Sequence, residues 1–86
     1  MWLKDPDAVL DYRWDWADWL GTDTITAATI TVTADGPDAS PPVIDGGAVT
    51  TWLTGGSIGA HQATCRITTA AGRIDERTVR IDIRER

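Results

Sequence analysis

His61-Gln62-Ala63-Thr64-Cys65-Arg66-Ile67-Thr68-Thr69 alternates without interruption, with Ala63, Cys65 and Ile67 on one parity and Gln62, Thr64, Arg66 and Thr68 on the other. Alternation with period two is what a strand with one buried and one wet face requires. Ala70-Ala71-Gly72 follows as a connection of hairpin length. Beyond it, Val79, Ile81 and Ile83 alternate with Arg80, Asp82 and Arg84. On the other side, Gly55-Gly56-Ser57-Ile58-Gly59 breaks the chain with residues suited to the positive φ of turns. Before that break, Ala48–Thr54 is a β-rich run holding Val49, Trp52 and Leu53. Residues 47–86 therefore read as three strands and two turns. A hairpin alone is marginal in water, so the remaining residues must supply a covering layer.

The first half of the chain offers that layer. In Ala8–Trp16, Leu10, Tyr12, Trp14 and Trp16 share one parity and Asp11, Arg13 and Asp15 the other. Trp16, Trp19 and Leu20 are then spaced by three and four before Gly21, which predicts one helical turn closing an end of the core. Thr24–Ala34 is a strand by propensity. Its inward parity switches between Ile25 and Ile30, which predicts a bulge near Ala27-Ala28. A similar switch between Ile74 and Val79 predicts a bulge within Asp75-Glu76-Arg77. Asp35-Gly36-Pro37-Asp38 reads as a turn, Pro41-Pro42-Val43-Ile44 as a short edge strand, and Asp45-Gly46 as a two-residue turn. Met1–Asp7, with Pro6 and no periodicity, reads as an arm preceding a single domain over residues 8–86. The expected class is all-β, an immunoglobulin-like sandwich of six or seven antiparallel strands with at most a short helical turn near Trp16–Leu20.

Eighty-six residues make one domain with a thin stability margin, since a chain this short buries only about two-thirds of its unfolded surface. One cysteine, Cys65, excludes an internal disulfide, and at an inward position it suits a reducing compartment. Neither a membrane-length apolar stretch nor a signal-peptide pattern is written. Oligomerisation is the remaining source of stability. The net charge of −5 argues against nucleic acid as a partner. That charge is unevenly spread. Residues 1–46 carry two basic residues against nine aspartates, whereas residues 47–86 carry six arginines against four acidic residues. Two explanations stand side by side. Asp11 and Asp15 can face Arg80 and Arg84 across adjacent first and last strands, or an acidic edge of one subunit can meet a basic edge of its neighbour.

Chemistry is sparsely represented. Asp5, Asp7 and Asp11 lack the glycine and terminal glutamate of a calcium loop. His61 and Cys65, four apart on a strand, lie about 13 Å apart by strand rise, beyond the reach a nucleophile–base pair needs. Structural zinc wants four such ligands, and the glycine pairs lack a strand-to-helix setting for phosphate. The reading is of no enzyme, no cofactor and no metal. Five tryptophans with no phenylalanine are the unusual feature. Trp14 and Trp52 are core candidates, and Trp16 and Trp19 close one end. Trp2 either folds back on its own domain or fills a pocket in a partner. The interface candidates are Trp2, Asp11, Asp15, Trp19, Arg80 and Arg84.

Two stretches carry a family resemblance. One is Leu3-Lys4-Asp5-Pro6-Asp7-Ala8-Val9-Leu10-Asp11-Tyr12 continuing to Trp16-Ala17-Asp18-Trp19-Leu20. The other runs from Trp52-Leu53-Thr54-Gly55-Gly56 through Thr64-Cys65-Arg66-Ile67-Thr68-Thr69-Ala70-Ala71-Gly72-Arg73-Ile74-Asp75-Glu76-Arg77. Together they resemble the phage fiber-tail adaptor proteins, small structural components of tailed bacteriophages; residues 34–47 carry little of the likeness. The resemblance implies a virion component made in the bacterial cytoplasm and assembled in repeated copies at the neck or tail. It brings no catalytic residue. The competing expectation is a capsid decoration protein or a host-surface-binding module of the same fold. The partners expected are neck or tail proteins and further copies of the chain, without nucleic acid or membrane.

The inward placement of Cys65 is directly testable. The native protein should resist thiol reagents and react only on unfolding, and fast labelling of folded protein would reverse the parity assigned to His61–Thr69. Cys65→Ser should destabilise modestly by burying a hydroxyl.

Overall fold

The uninterrupted alternation puts its strand at the centre of a sheet. In the computed structural model, which describes residues 2–85, this strand is β7 (Gly59–Thr69). It pairs antiparallel with β8 (Ile74–Ile83) on one side and β3 (Ile25–Val32) on the other. β1 (Trp2–Lys4) lies along the far edge of β8 in parallel, giving the order β1-β8-β7-β3. The second sheet is centred on β6 (Ala48–Thr54), with β2 (Val9–Asp15) antiparallel on one edge. Along its other edge run β4 (Asp38–Ala39) and then β5 (Val43–Asp45). Pro41 and Pro42 fall between those two pieces, where they have no N–H to give the ladder. A single turn, α1 (Ala17–Leu20), carries the chain from β2 towards β3 and stops at Gly21 with φ +61°.

Leaving β1 aside, the strands match the B to G series of an immunoglobulin sandwich. β2, β6 and the β4/β5 edge form the B-E-D sheet, and β3, β7 and β8 the C-F-G sheet. Between the sheets lie Trp14 and Trp16, with Val49 and Leu53 from β6, Ala63, Cys65 and Ile67 from β7, and Ile81 and Ile83 from β8. Each of the Val, Leu and Ile members contributes about 1.5–3 kcal/mol by leaving water. Thr51, also wholly buried, satisfies its hydroxyl by donating to the Ser40 carbonyl at 2.7 Å, which pins the loop between β4 and β5.

Several expectations change in detail. The strands number eight among the described residues, and the β1–β8 pair is parallel rather than antiparallel. Residues 2–4, expected in an arm, are thus an edge strand of the sandwich; such a short pairing leaves no local pattern to read. The bulge expected near Ala27-Ala28 sits at Thr26, where the register shifts between Ile25 and Ala27. No bulge interrupts β8, whose ladder with β7 is continuous from Ile74 to Ile83. Val79, Ile81 and Ile83 still face inward, so Asp75 and Arg77 share their parity and Ile74 is left in solvent. Arg77 tolerates that position because its guanidinium stacks on the Trp16 ring, 4.1 Å from the centroid, and donates to the Asp15 carbonyl at 2.6 Å. The two-residue turn between β5 and β6 is Gly46-Gly47, one position later than expected. Gly46 has φ +59°, and a Cβ on Gly47 would come within 3.0 Å of the Ala17 Cα. Trp52 is half exposed on the outer face rather than in the core, since Val49, Thr51 and Leu53 take the inward parity of β6. Asp11 and Asp15 cannot pair with Arg80 and Arg84, because β2 and β8 belong to different sheets.

These placements separate the tryptophans energetically. Trp16→Ala should cost about 3–5 kcal/mol in urea unfolding, and Trp52→Ala should stay within about 0.5 kcal/mol. Equal losses at the two positions would mean both indoles are core.

Candidate functional site

The six sequence-derived interface candidates do not converge on one place. Asp11 and Asp15 stand on the outer face of the β2-β6 sheet, Asp11 directly opposite Trp52. Asp15 accepts the Ala17 N–H at 3.0 Å and so satisfies a donor at the start of α1. Arg80 and Arg84 stand on the outer face of the other sheet. Both hold the almost wholly buried Asp82 carboxylate, Arg80 through Nε at 2.8 Å and Arg84 at 3.3 Å. The hydrogen bond from Arg80 leads the causes that keep the Asp82 carboxyl below its ordinary range. Trp2 is half-buried, stacked on Tyr12 at 4.4 Å and edge-on to Trp14 at 5.0 Å. It therefore folds back on its own domain, the first of the two alternatives raised for it. Trp19 meets Trp16 edge-on at 5.6 Å and carries the Arg73 guanidinium 4.1 Å above its ring.

Arg73 anchors an arrangement that local sequence pattern does not disclose. It is held to Asp23 at 3.0 Å while donating to the Leu20 carbonyl at 3.0 Å, which at the end of α1 also accepts the Asp23 N–H at 3.1 Å. Asp23 also accepts the backbone N–H groups of Thr24 and Ala71 at 2.9 and 3.1 Å. The β7–β8 hairpin is thereby tied to the β2–β3 crossover. The Asp23 carboxyl is held down at about 2, with the Thr69 hydroxyl as the largest cause and the two N–H groups and Arg73 reinforcing it against burial. At the opposite end, Lys4 is wholly buried, and its Nζ donates to the carbonyls of Asp5 at 2.9 Å and Gly55 at 2.8 Å. Burial lowers the Lys4 pKa, opposed by Asp5 and Asp7.

The outer faces differ in character. The β2-β6 face bears Asp11, Asp15, Asp38 and Asp45 against Arg13, which meets Asp45 at 3.8 Å, and it exposes Val9, Val43 and Trp52. On the β8-β7-β3 face, Arg66, Arg80 and Arg84 stand among threonines 29, 31, 64, 68 and 78, with Glu76 and Asp82 as the acidic members. A shallow depression of about 240 Å³ on that side is lined by Thr33, Ala60, His61, Gln62 and Arg80. His61 is engaged elsewhere: its Nε2 donates to the Ser57 carbonyl at 2.8 Å. Burial pushes the Cys65 thiol pKa up, away from the thiolate a nucleophile needs. Among the described residues no group of three or more histidine, cysteine or acidic side chains could hold a metal ion, and no helix is long and apolar enough to cross a membrane. What the fold displays is surface.

A family model described as podophage GP4 fiber-tail adaptor protein gp77 matches residues 4–82. The chain belongs to this fiber-tail adaptor family. The match takes in all of β2 to β7 and β8 up to Asp82, so both sheets are shared rather than one motif. Membership carries a structural role in the phage tail, interaction with other tail proteins and a virion location. A comparison with curated proteins finds none that matches. Trp52 and Arg66 also stand exposed on these two outer faces, outside the six residues expected from sequence. The even parity of Trp52 in a strand with inward Val49 and Leu53 was the signal that could have placed it outside.

The Asp23 node gives a pH prediction. Its carboxyl lies at about 2 in the fold against an ordinary value of 3.8. The depressed value means its contribution is complete above about pH 4 and is lost as pH falls towards about 2. Asp23→Asn should flatten that part of the acid-unfolding curve, as followed by circular dichroism. An unchanged acid limb would remove Asp23 as its source.

Proposed function

We propose that the protein is a non-enzymatic adaptor at the neck or tail of a tailed-phage particle, working through protein–protein interfaces in a symmetric assembly of its own copies. The observation that carries the reading is the family match across both sheets of the sandwich. The mechanism is mechanical. A rigid two-sheet body, tied at one end by Arg73 and Asp23 and at the other by Lys4, presents fixed side chains to its neighbours. Because the interface residues sit on strands, little ordering entropy is spent on docking. Ring symmetry multiplies each weak contact by the copy number. The protein is made in the host cytoplasm and incorporated into the virion there, which agrees with a buried, unpaired Cys65.

Copy number tests the reading. Mass measurement of intact particles with cross-links mapped between subunits should give a number set by the tail's rotational symmetry, and cross-links to neck or tail proteins. A number following the capsid lattice, with cross-links to capsid protein, would assign the module to capsid decoration instead.

A further inference from the structure

The chain uses the same device twice to cover a tryptophan. Arg73 lies 4.1 Å over Trp19 and Arg77 lies 4.1 Å over Trp16, and Arg73 is also neutralised by Asp23. Indole, guanidinium and carboxylate together form a closed unit, because the cation is held by the ring face and by the anion at once. On the outer face of β6, two parts of that unit are present without the third. Trp52 is 50% exposed, Asp11 stands directly opposite it on β2, and Asp38 faces Thr54 two positions along the same face. Neither the Asp11 nor the Asp38 carboxylate has a hydrogen bond or ion pair among the described residues.

The missing cation is available on the opposite broad face. Arg66, at the middle of β7, faces Glu76 and Thr29 across the ladders yet makes no ion pair among the described residues, whereas Arg80 and Arg84 are held by Asp82. Its neighbours on that face are mostly threonines, short enough for another sheet to approach at the usual spacing of about 10 Å. The two sites lie on opposite sides of one sandwich, so Arg66 cannot reach Trp52 within a molecule. We infer that Trp52, Asp11 and Asp38 form an arginine-accepting site for Arg66 of a second copy of this chain, joining the acidic face of one copy to the threonine–arginine face of the next. The domain measures 42 × 20 × 18 Å. A broad face therefore projects roughly 800 Å², about the area each partner buries in a stable complex. Such a contact is heterologous, and it closes into a ring or continues as a filament according to the rotation between copies. This rests on the adaptor reading for its setting and goes beyond it in naming the faces and the contact.

Sedimentation of the purified chain tests it. Wild type should self-associate with rising concentration, and less so at high salt, as screened charge pairs require. Trp52→Ala should weaken association about tenfold or more. Asp11→Arg and Arg66→Asp should each leave monomers, and the double variant Asp11→Arg/Arg66→Asp should reassemble, because every contact then carries the swapped pair. All four residues are exposed, and melting curves check that each variant is folded; Asp38→Arg replaces Asp11→Arg if that variant is not. Wild type that stays monomeric at all salts and concentrations, or a double variant no better than its parents, overturns the inference. Its failure differs from failure of the adaptor reading. Trp52→Ala protein incorporated into tails at wild-type copy number would discard this contact and keep the adaptor, whereas wild type absent from tails would discard the adaptor.

Discussion

The fully buried indole of Trp16 is the contact on which this end of the structure depends. Trp16 sits where β2 gives way to α1, and its backbone N–H donates to the Gly47 carbonyl at 2.8 Å, so one residue fixes both the crossover and the β5–β6 turn. On the facing strand the small side chain of Cys65 lies against the ring. Its Nε1 has no full hydrogen-bond partner and lies towards the Cys65 thiol, a weak acceptor. Arg77 closes the site from the solvent side, which is why a charged residue occupies an inward position of β8 and the strand runs on without a bulge. Trp19 packs on the same indole and brings Arg73 and Asp23 with it.

Strand alternation made most of the fold legible. The β6 and β7 segments, the hairpin at Ala70-Ala71-Gly72, the turn at α1 and the two-sheet architecture all follow from local periodicity and turn chemistry. What local pattern could not supply was set by partners distant in sequence. Arg77 looks like a break in parity because the ring that accommodates it lies at residue 16. Residues 2–4 look unstructured because their pairing is with residues 81–83. Trp52 invites a core assignment by its size, but the inward positions beside it are filled by Thr51 and Leu53. In each case the deciding neighbours lie outside the local pattern.

The same distinction applies to the surface. The excess of aspartate in the first half of the chain and of arginine in the second was legible as a count, and the strand order turns it into a difference between two broad faces. Charges that could have paired within one sheet are held apart by the body of the domain.

The parallel pairing of β1 with β8 has a consequence for force. Trp2 lies beside Ile81 and Lys4 beside Ile83, and the Arg84 N–H donates to the Lys4 carbonyl at 3.0 Å. A tension drawing residue 2 away from residue 84 pulls the two strands along their own axes in opposite directions. The bonds between them are then strained together in shear instead of opening one after another like a zipper, and the buried Lys4 ammonium, fastened to Gly55, resists the same displacement. β1 and the end of β8 thus form a clasp that resists separation along the strands.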